Sequence, residues 1–178
     1  MTGKKILFQG KHINLVAEGR WEFAERPRVC GIVFIAAMTP EKRVIMVEQY
    51  RPPVGRIVVE LPAGLAGDIP GQEHEDLAVA ARRELLEETG YEAAEMHKVM
   101  EGVPSAGICS EVLTLFVATG LRKVSEGGGD AHEQITVHEV PIGQMNDWLA
   151  AQTALGKTVD YKVYAGLWHL ETLRKSCA

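Results

Sequence analysis

The sequence predicts an α/β domain, and three observations carry that expectation. Short apolar runs separated by turn residues fill the first half of the chain. One strongly periodic helix follows, and strand-like segments then return before two closing helices. At 178 residues the chain is one domain on the usual scale of roughly 100–200 residues. Hydrophobic residues make up 46% of it, which suits a packed core and excludes wholesale disorder.

The first strands are expected at 5–8, 12–17, 21–23, 29–38, 43–50 and 57–61, all rich in Val, Ile, Phe or Trp. Turn signals divide them, among them Gln9-Gly10, Glu18-Gly19 and the Thr39-Pro40-Glu41-Lys42 run. A Pro/Gly-rich loop is expected over 62–71. The helix is expected over 75–89, with Gly90 placed to cap its C-terminus. Leu77, Ala78, Ala81 and Leu85 recur at helical spacing and form its apolar stripe. Strands at 97–100, 112–119 and 134–140 follow, with a polar, glycine-containing loop over 125–132 before the last of them. Helices over 142–155 and 160–175 close the chain, Asp160 serving as N-cap of the second. Residues 1–178 form a single domain in this reading, with about the first 28 residues as a strand-rich appendage.

The charge balance narrows the chemistry. Nineteen basic residues against 24 acidic ones give −5, which argues against a nucleic-acid or anionic-membrane partner. No apolar run reaches the roughly 18 residues of a membrane span, and the N-terminus lacks the apolar core of a signal peptide. Cys30, Cys109 and Cys177 are dispersed and odd in number, which points away from a disulfide framework and toward a reducing cytoplasm. Cys30 and Cys109 sit in apolar contexts and read as packing residues, and His74 and His132 as loop residues. The charge is also concentrated: residues 73–88 alone carry a net −4.

Within that segment Glu84, Glu87 and Glu88 stand at i, i+3 and i+4, so their carboxylates crowd one helix face. They also occupy the last turns, where the helix dipole disfavours negative charge. A solvated acidic face would carry both penalties, and helical spacing lets Arg83 relieve only Glu87. A divalent cation would remove both, because Mg²⁺ and Mn²⁺ favour carboxylate, carbonyl and water oxygens.

The run Arg83-Glu84-Leu85-x-Glu87-Glu88-x-Gly90, with Glu75 eight positions before Arg83, resembles the Nudix box of Nudix hydrolases. The resemblance covers about residues 21–140 and implies an α/β/α sandwich around a mixed β-sheet. It departs from the family pattern at one place: ten residues separate Gly64 from Glu75, a longer interval than the family's box has.

Flanking segments look like the ADP-ribose (ADP-sugar) pyrophosphatase branch. Glu48-Gln49-Tyr50-Arg51-Pro52-Pro53 followed by Glu60-Leu61-Pro62-Ala63-Gly64 resembles the stretch before the box. By that likeness the Ala63 carbonyl is a metal ligand together with Glu84 and Glu88, with Glu75 assisting, and Arg51 contacts the diphosphate. Trp21-Glu22 resembles the branch's base-stacking element, whose strands exchange across a homodimer. The segment from Gly102 to Glu111 resembles a downstream substrate loop, with Ala106 where a second Pro is common; Glu111 either meets substrate or merely opens a strand. Glu133 takes the position of a catalytic Glu on a lid loop, with Glu87 or Glu88 as the other candidate base, and Arg83 positions Glu87 or its neighbours.

The implied reaction is Mg²⁺- or Mn²⁺-dependent hydrolysis of ADP-ribose or a related nucleoside diphosphate sugar to a nucleoside monophosphate and a sugar phosphate. Three other readings stay open: a Nudix hydrolase of GDP-mannose, UDP-glucose or a nucleoside triphosphate; a non-catalytic nucleotide-sugar sensor; and an interaction domain with an acidic helix.

Overall fold

The computed structural model describes residues 3–129 and 134–176. An antiparallel three-stranded sheet opens the chain: β1 (Lys5–Gln9), β2 (Asn14–Glu18) and β3 (Trp21–Glu25). Two four-stranded sheets follow. One runs β7 (Ala63–Ala66), β4 (Gly31–Ala37), β9 (Leu113–Lys123), β8 (Tyr91–Gly102). The other runs β10 (Thr136–Pro141), β5 (Arg43–Arg51), β6 (Arg56–Glu60), β11 (Thr158–Val159). In the first of these, β4 and β9 are parallel while β7 and β8 flank them antiparallel, so the sheet is mixed.

The period of two along β4 builds the layers. Val33, Ile35 and Ala37 face a core shared with Ala80, Ala81 and Leu85 of α1 (Leu77–Thr89). Phe34 and Ala36 face the opposite core, with Met145 and Leu149 of α2 (Met145–Ala154) and Val163 and Leu170 of α3 (Lys162–Ser176). A strand buried on both faces between helices gives the expected α/β/α sandwich.

Boundaries differ from expectation where tertiary pairing overrides local pattern. β7 forms inside the expected 62–71 loop, because Ala63–Ala66 zips antiparallel onto β4. β8 begins at Tyr91, well before residue 97, since it pairs with β9 along almost its whole length despite its polar sequence. β11 was not anticipated; its two residues pair parallel with β6. α1 starts at Leu77 rather than 75, with Asp76 as N-cap accepting from the amides of Ala78 at 2.8 Å and Val79 at 3.2 Å. Ala80 joins its buried stripe, while Leu77 and Ala78 are only partly buried. Gly90 caps the C-terminus in the left-handed region (φ 75°), its amide donating to the Leu86 carbonyl. A 3-10 turn at Ile142–Gln144 precedes α2, and Asp160 accepts from the Lys162 amide at 2.8 Å at the start of α3. No helix among the described residues is long and apolar enough to cross a membrane.

Candidate active site

Helical spacing divides the box carboxylates into two sets. Glu84 and Glu88, one turn apart, turn inward toward β7; Glu88 is 4% exposed and the Glu84 side chain 12%. Glu87 stays at the rim with its side chain 51% exposed. The inward pair lies against the backbone of Ala63 and Gly64. The Ala63 amide donates to Glu88 Oε2 at 3.1 Å. A Cβ added to Gly64 would stand 1.9 Å from the Glu84 carboxyl carbon, so only glycine leaves room for that carboxylate.

Arg83 closes the cluster. Its Nε and Nη2 donate to the two oxygens of Glu75 at 3.0 Å each, and its Nη1 to Glu84 at 2.8 Å and Glu87 at 3.3 Å. Nη2 also donates to the Leu65 carbonyl at 2.9 Å and lies 3.8 Å from Asp68. The expectation that Arg83 relieves only Glu87 is therefore corrected: the guanidinium fork reaches across the loop as well as along the helix. The long 64–75 interval folds back on itself, with the Gly67 amide donating to Glu75 at 3.3 Å, which returns Glu75 to the cluster.

This arrangement separates the titrations. The hydrogen bond from Arg83 holds the Glu75 carboxyl below its ordinary range, against the opposing effect of burial. Burial pushes Glu84 up to about 7, against the pull of Arg83. Arg83 itself is held more firmly protonated, chiefly by its hydrogen bond with Glu75.

No group of three His, Cys, Asp or Glu side chains among the described residues is already gathered as a cation site. Glu75, Glu84 and Glu87 each bond Arg83 instead. The donor set nevertheless fits a hard divalent cation. Two inward carboxylates on one helix face lie beside a backbone segment that could offer a carbonyl, in a cradle kept open by Gly64.

The remaining candidates occupy neighbouring positions. Trp21 on β3 is 53% exposed and lines a groove of about 280 Å³ with Phe23, Gly107 and Ser110. β3 is pinned to that loop by Ala24, whose amide donates to Ile108 at 2.8 Å and whose carbonyl accepts from Ser110 at 3.0 Å. Glu111 is paired with Arg26 at 3.0 Å in an adjoining groove that also contains Cys30. Cys30 is exposed, correcting the expectation of an apolar setting, and its thiol donates to the Glu75 carbonyl at 3.2 Å. Arg51 donates to the buried Glu60 at 2.7 Å. Glu133 and His132 lie outside the described residues.

Three contributors lie beyond the sequence reading: Glu60, Asp68 and Gly64 in its packing role. Gly127, Gly128 and Gly129, in the expected glycine-containing loop, all have positive φ. Gly128 and Gly129 also cap α1: the Gly128 amide donates to the Glu88 carbonyl at 2.8 Å and the Gly129 amide to the Glu87 carbonyl at 3.1 Å.

Comparison with known proteins places these features in a family. The family model of the NUDIX domain matches residues 27–160. The methanol dehydrogenase activator of Bacillus methanolicus is 35% identical, over 80% of this chain and 75% of its own. ADP-ribose pyrophosphatase of Bacillus subtilis is 34% identical over 78% of this chain and 76% of its own. GDP-mannose pyrophosphatase of Escherichia coli K12 is 31% identical over 79% and 75%. A crystal structure of an ADP compounds hydrolase superposes with a TM-score of 0.73 at 17% identity, covering 99% of this chain and 94% of that one, a likeness of fold. With its box helix, its Arg83-centred carboxylates and a sandwich of matching topology, the chain belongs to the Nudix family.

Proposed function

We propose that this protein hydrolyses the diphosphate of ADP-ribose or a related nucleoside diphosphate sugar, with Mg²⁺ or Mn²⁺ as cofactor. The observation that carries this reading is the pair of inward carboxylates, Glu84 and Glu88, against the Ala63–Gly64 backbone. A divalent cation bound there would neutralise the charge that repels a nucleophile from the diphosphate and would make water easier to deprotonate.

The chain's own residues then take distinct roles. Glu84, Glu88 and the Ala63 carbonyl would hold the cation, with Glu75 assisting. Arg83 positions the carboxylates and stays protonated throughout. Arg51, oriented by Glu60, presents a fork suited to phosphate oxygens. Trp21 offers a flat face for the base, and Glu111 lines the adjoining groove. Glu133, or Glu87 at the exposed rim, accepts the proton of the attacking water. Exposed Ile6, Leu7 and Phe8 on β1 support pairing with a second copy, and we place the homodimer in the cytoplasm.

GDP-mannose is the second reading, favoured by Ala106 standing where the ADP-ribose branch commonly has Pro and by the GDP-mannose pyrophosphatase likeness. The test is turnover of ADP-ribose and GDP-mannose with Mg²⁺ and with chelator, following the nucleoside monophosphate and sugar phosphate. Cation-dependent cleavage of ADP-ribose is expected. Cleavage of GDP-mannose alone would move the assignment to the second reading, and turnover undiminished by chelator would overturn the metal role.

A further inference from the structure

The groove beside Trp21 contains one charged side chain, and its chemistry bears on which base the groove accepts. Glu18 and Trp21 are directly opposed across the β2–β3 hairpin, joined by the two-residue turn Gly19-Arg20. Cross-strand partners stand about 4.5–5.5 Å apart at Cβ, so the two side chains leave the hairpin as close neighbours on one face. Both residues line the same groove, whose opposite wall is Ala106, Gly107, Cys109 and Ser110. Among the described residues no hydrogen bond or ion pair engages the Glu18 carboxylate, although Lys4 feels its charge. Lys4 is committed to Glu25 at 2.5 Å, and the Arg20 guanidinium sits 5.6 Å from the centre of the Trp21 ring.

We propose that Glu18 is a specificity-determining residue that makes this groove favour bases presenting N–H donors, guanine foremost. An ionised carboxylate only accepts hydrogen bonds. Guanine presents N1–H and the exocyclic N2–H₂ side by side, matching both carboxylate oxygens. Adenine presents its N6 amine beside an acceptor nitrogen, giving one bond. Uracil flanks its single N3–H with two carbonyl oxygens, which meet the carboxylate unfavourably. Stacking on Trp21 is nearly indifferent to the base, so discrimination falls to this edge contact. A carboxylate that finds no partner in the bound state loses its hydration without compensation, which penalises the uracil nucleotide further.

Glu18 acts this way only if Trp21 is the base platform proposed above; it then favours the GDP-mannose reading over ADP-ribose, and the experiment separates the two. GDP-glucose, ADP-glucose and UDP-glucose share one sugar and differ in base alone. With Mg²⁺ present, kcat/KM should fall in that order, with about tenfold or more between the first and the last. Glu18→Gln replaces two acceptors with one acceptor and one donor, a pattern that suits uracil. It should bring the GDP-to-UDP ratio down about tenfold or more, toward one. Trp21→Ala should raise KM for all three substrates by similar factors and leave their order intact. If Trp21→Ala raises KM while Glu18→Gln leaves the ratio unmoved, the role of Glu18 is overturned and the platform stands. If Trp21→Ala leaves every KM unchanged, or none of the three is cleaved, the underlying reading fails and this proposal with it.

Discussion

Arg83 grips Glu75 with two parallel hydrogen bonds of 3.0 Å, from Nε to one carboxylate oxygen and from Nη2 to the other. The pair joins the middle of the helix to the last residue of the loop that leads into its N-cap. Bidentate geometry of this kind is rigid as well as strong. The Glu75 side chain is only 3% exposed, so the pair cannot be exchanged for water contacts without cost.

Arg83→Lys is therefore expected to behave as a loss rather than a conservative change. Lysine supplies a point charge and cannot bond Glu75, Glu84, Glu87 and the Leu65 carbonyl together. We expect a stability loss of about 3 kcal/mol, read by thermal or urea unfolding, together with a large fall in kcat. Wild-type stability in Arg83→Lys would show that the fork is dispensable.

Gly64→Ala tests the cradle without removing any ligand. The new methyl would displace the Glu84 carboxylate, which sits at the end of a flexible side chain, so the fold should survive. Cation-dependent turnover is expected to fall about 10–100-fold, as when a supporting contact of a metal ligand is lost. Cation affinity can be followed separately by the rise in melting temperature on adding Mg²⁺, which the variant should lack.

Glu88→Gln keeps the shape and the hydrogen bond from the Ala63 amide while removing the charge. Turnover is expected to drop by about 10²-fold or more, with little change in the circular dichroism spectrum. Full activity in this variant would eliminate the proposed cation site.

Acid stability should depend on a half-buried charge cluster remote from the box. Burial alone would raise the Glu48 carboxyl, but hydrogen bonds from Lys157 at 2.5 Å and His138 at 2.9 Å outweigh it and hold the group below its ordinary 4.5. Because the folded value lies below the unfolded one, Glu48 stabilises the fold fully above pH 4.5, and that contribution fades as pH falls through the folded value. Glu48→Gln should cost about 1–3 kcal/mol at pH 7, since Lys157 loses its charged partner. Melting curves from pH 7 to pH 3 should show the gap to wild type narrowing.

The legible part of the site was the part encoded by local spacing. Glu84 and Glu88 on one turn and the Gly90 cap depend on residues within a few positions of one another. What escaped was set by pairing across the chain. Ala63–Ala66 has little strand character of its own and becomes β7 only through β4. Arg83 reaches the Leu65 carbonyl and Asp68 because the loop before α1 turns back at Gly67, a conformation that helix periodicity does not contain. The orientation of Arg51 toward Glu60 arises from the β5–β6 hairpin, where Arg51 and Glu60 belong to facing strands.

The glycines that cap α1 carry a mechanical consequence. Glu87 and Glu88 are tied at both ends: their side chains meet Arg83 and the Ala63 amide, and their carbonyls accept from Gly129 and Gly128. Any displacement at the root of the loop after β9 is thereby transmitted to the frame that aims two of the reaction's carboxylates. Loop and helix act as lever and fulcrum, so sequence changes in the loop that never touch substrate should still register in the alignment of the chemistry.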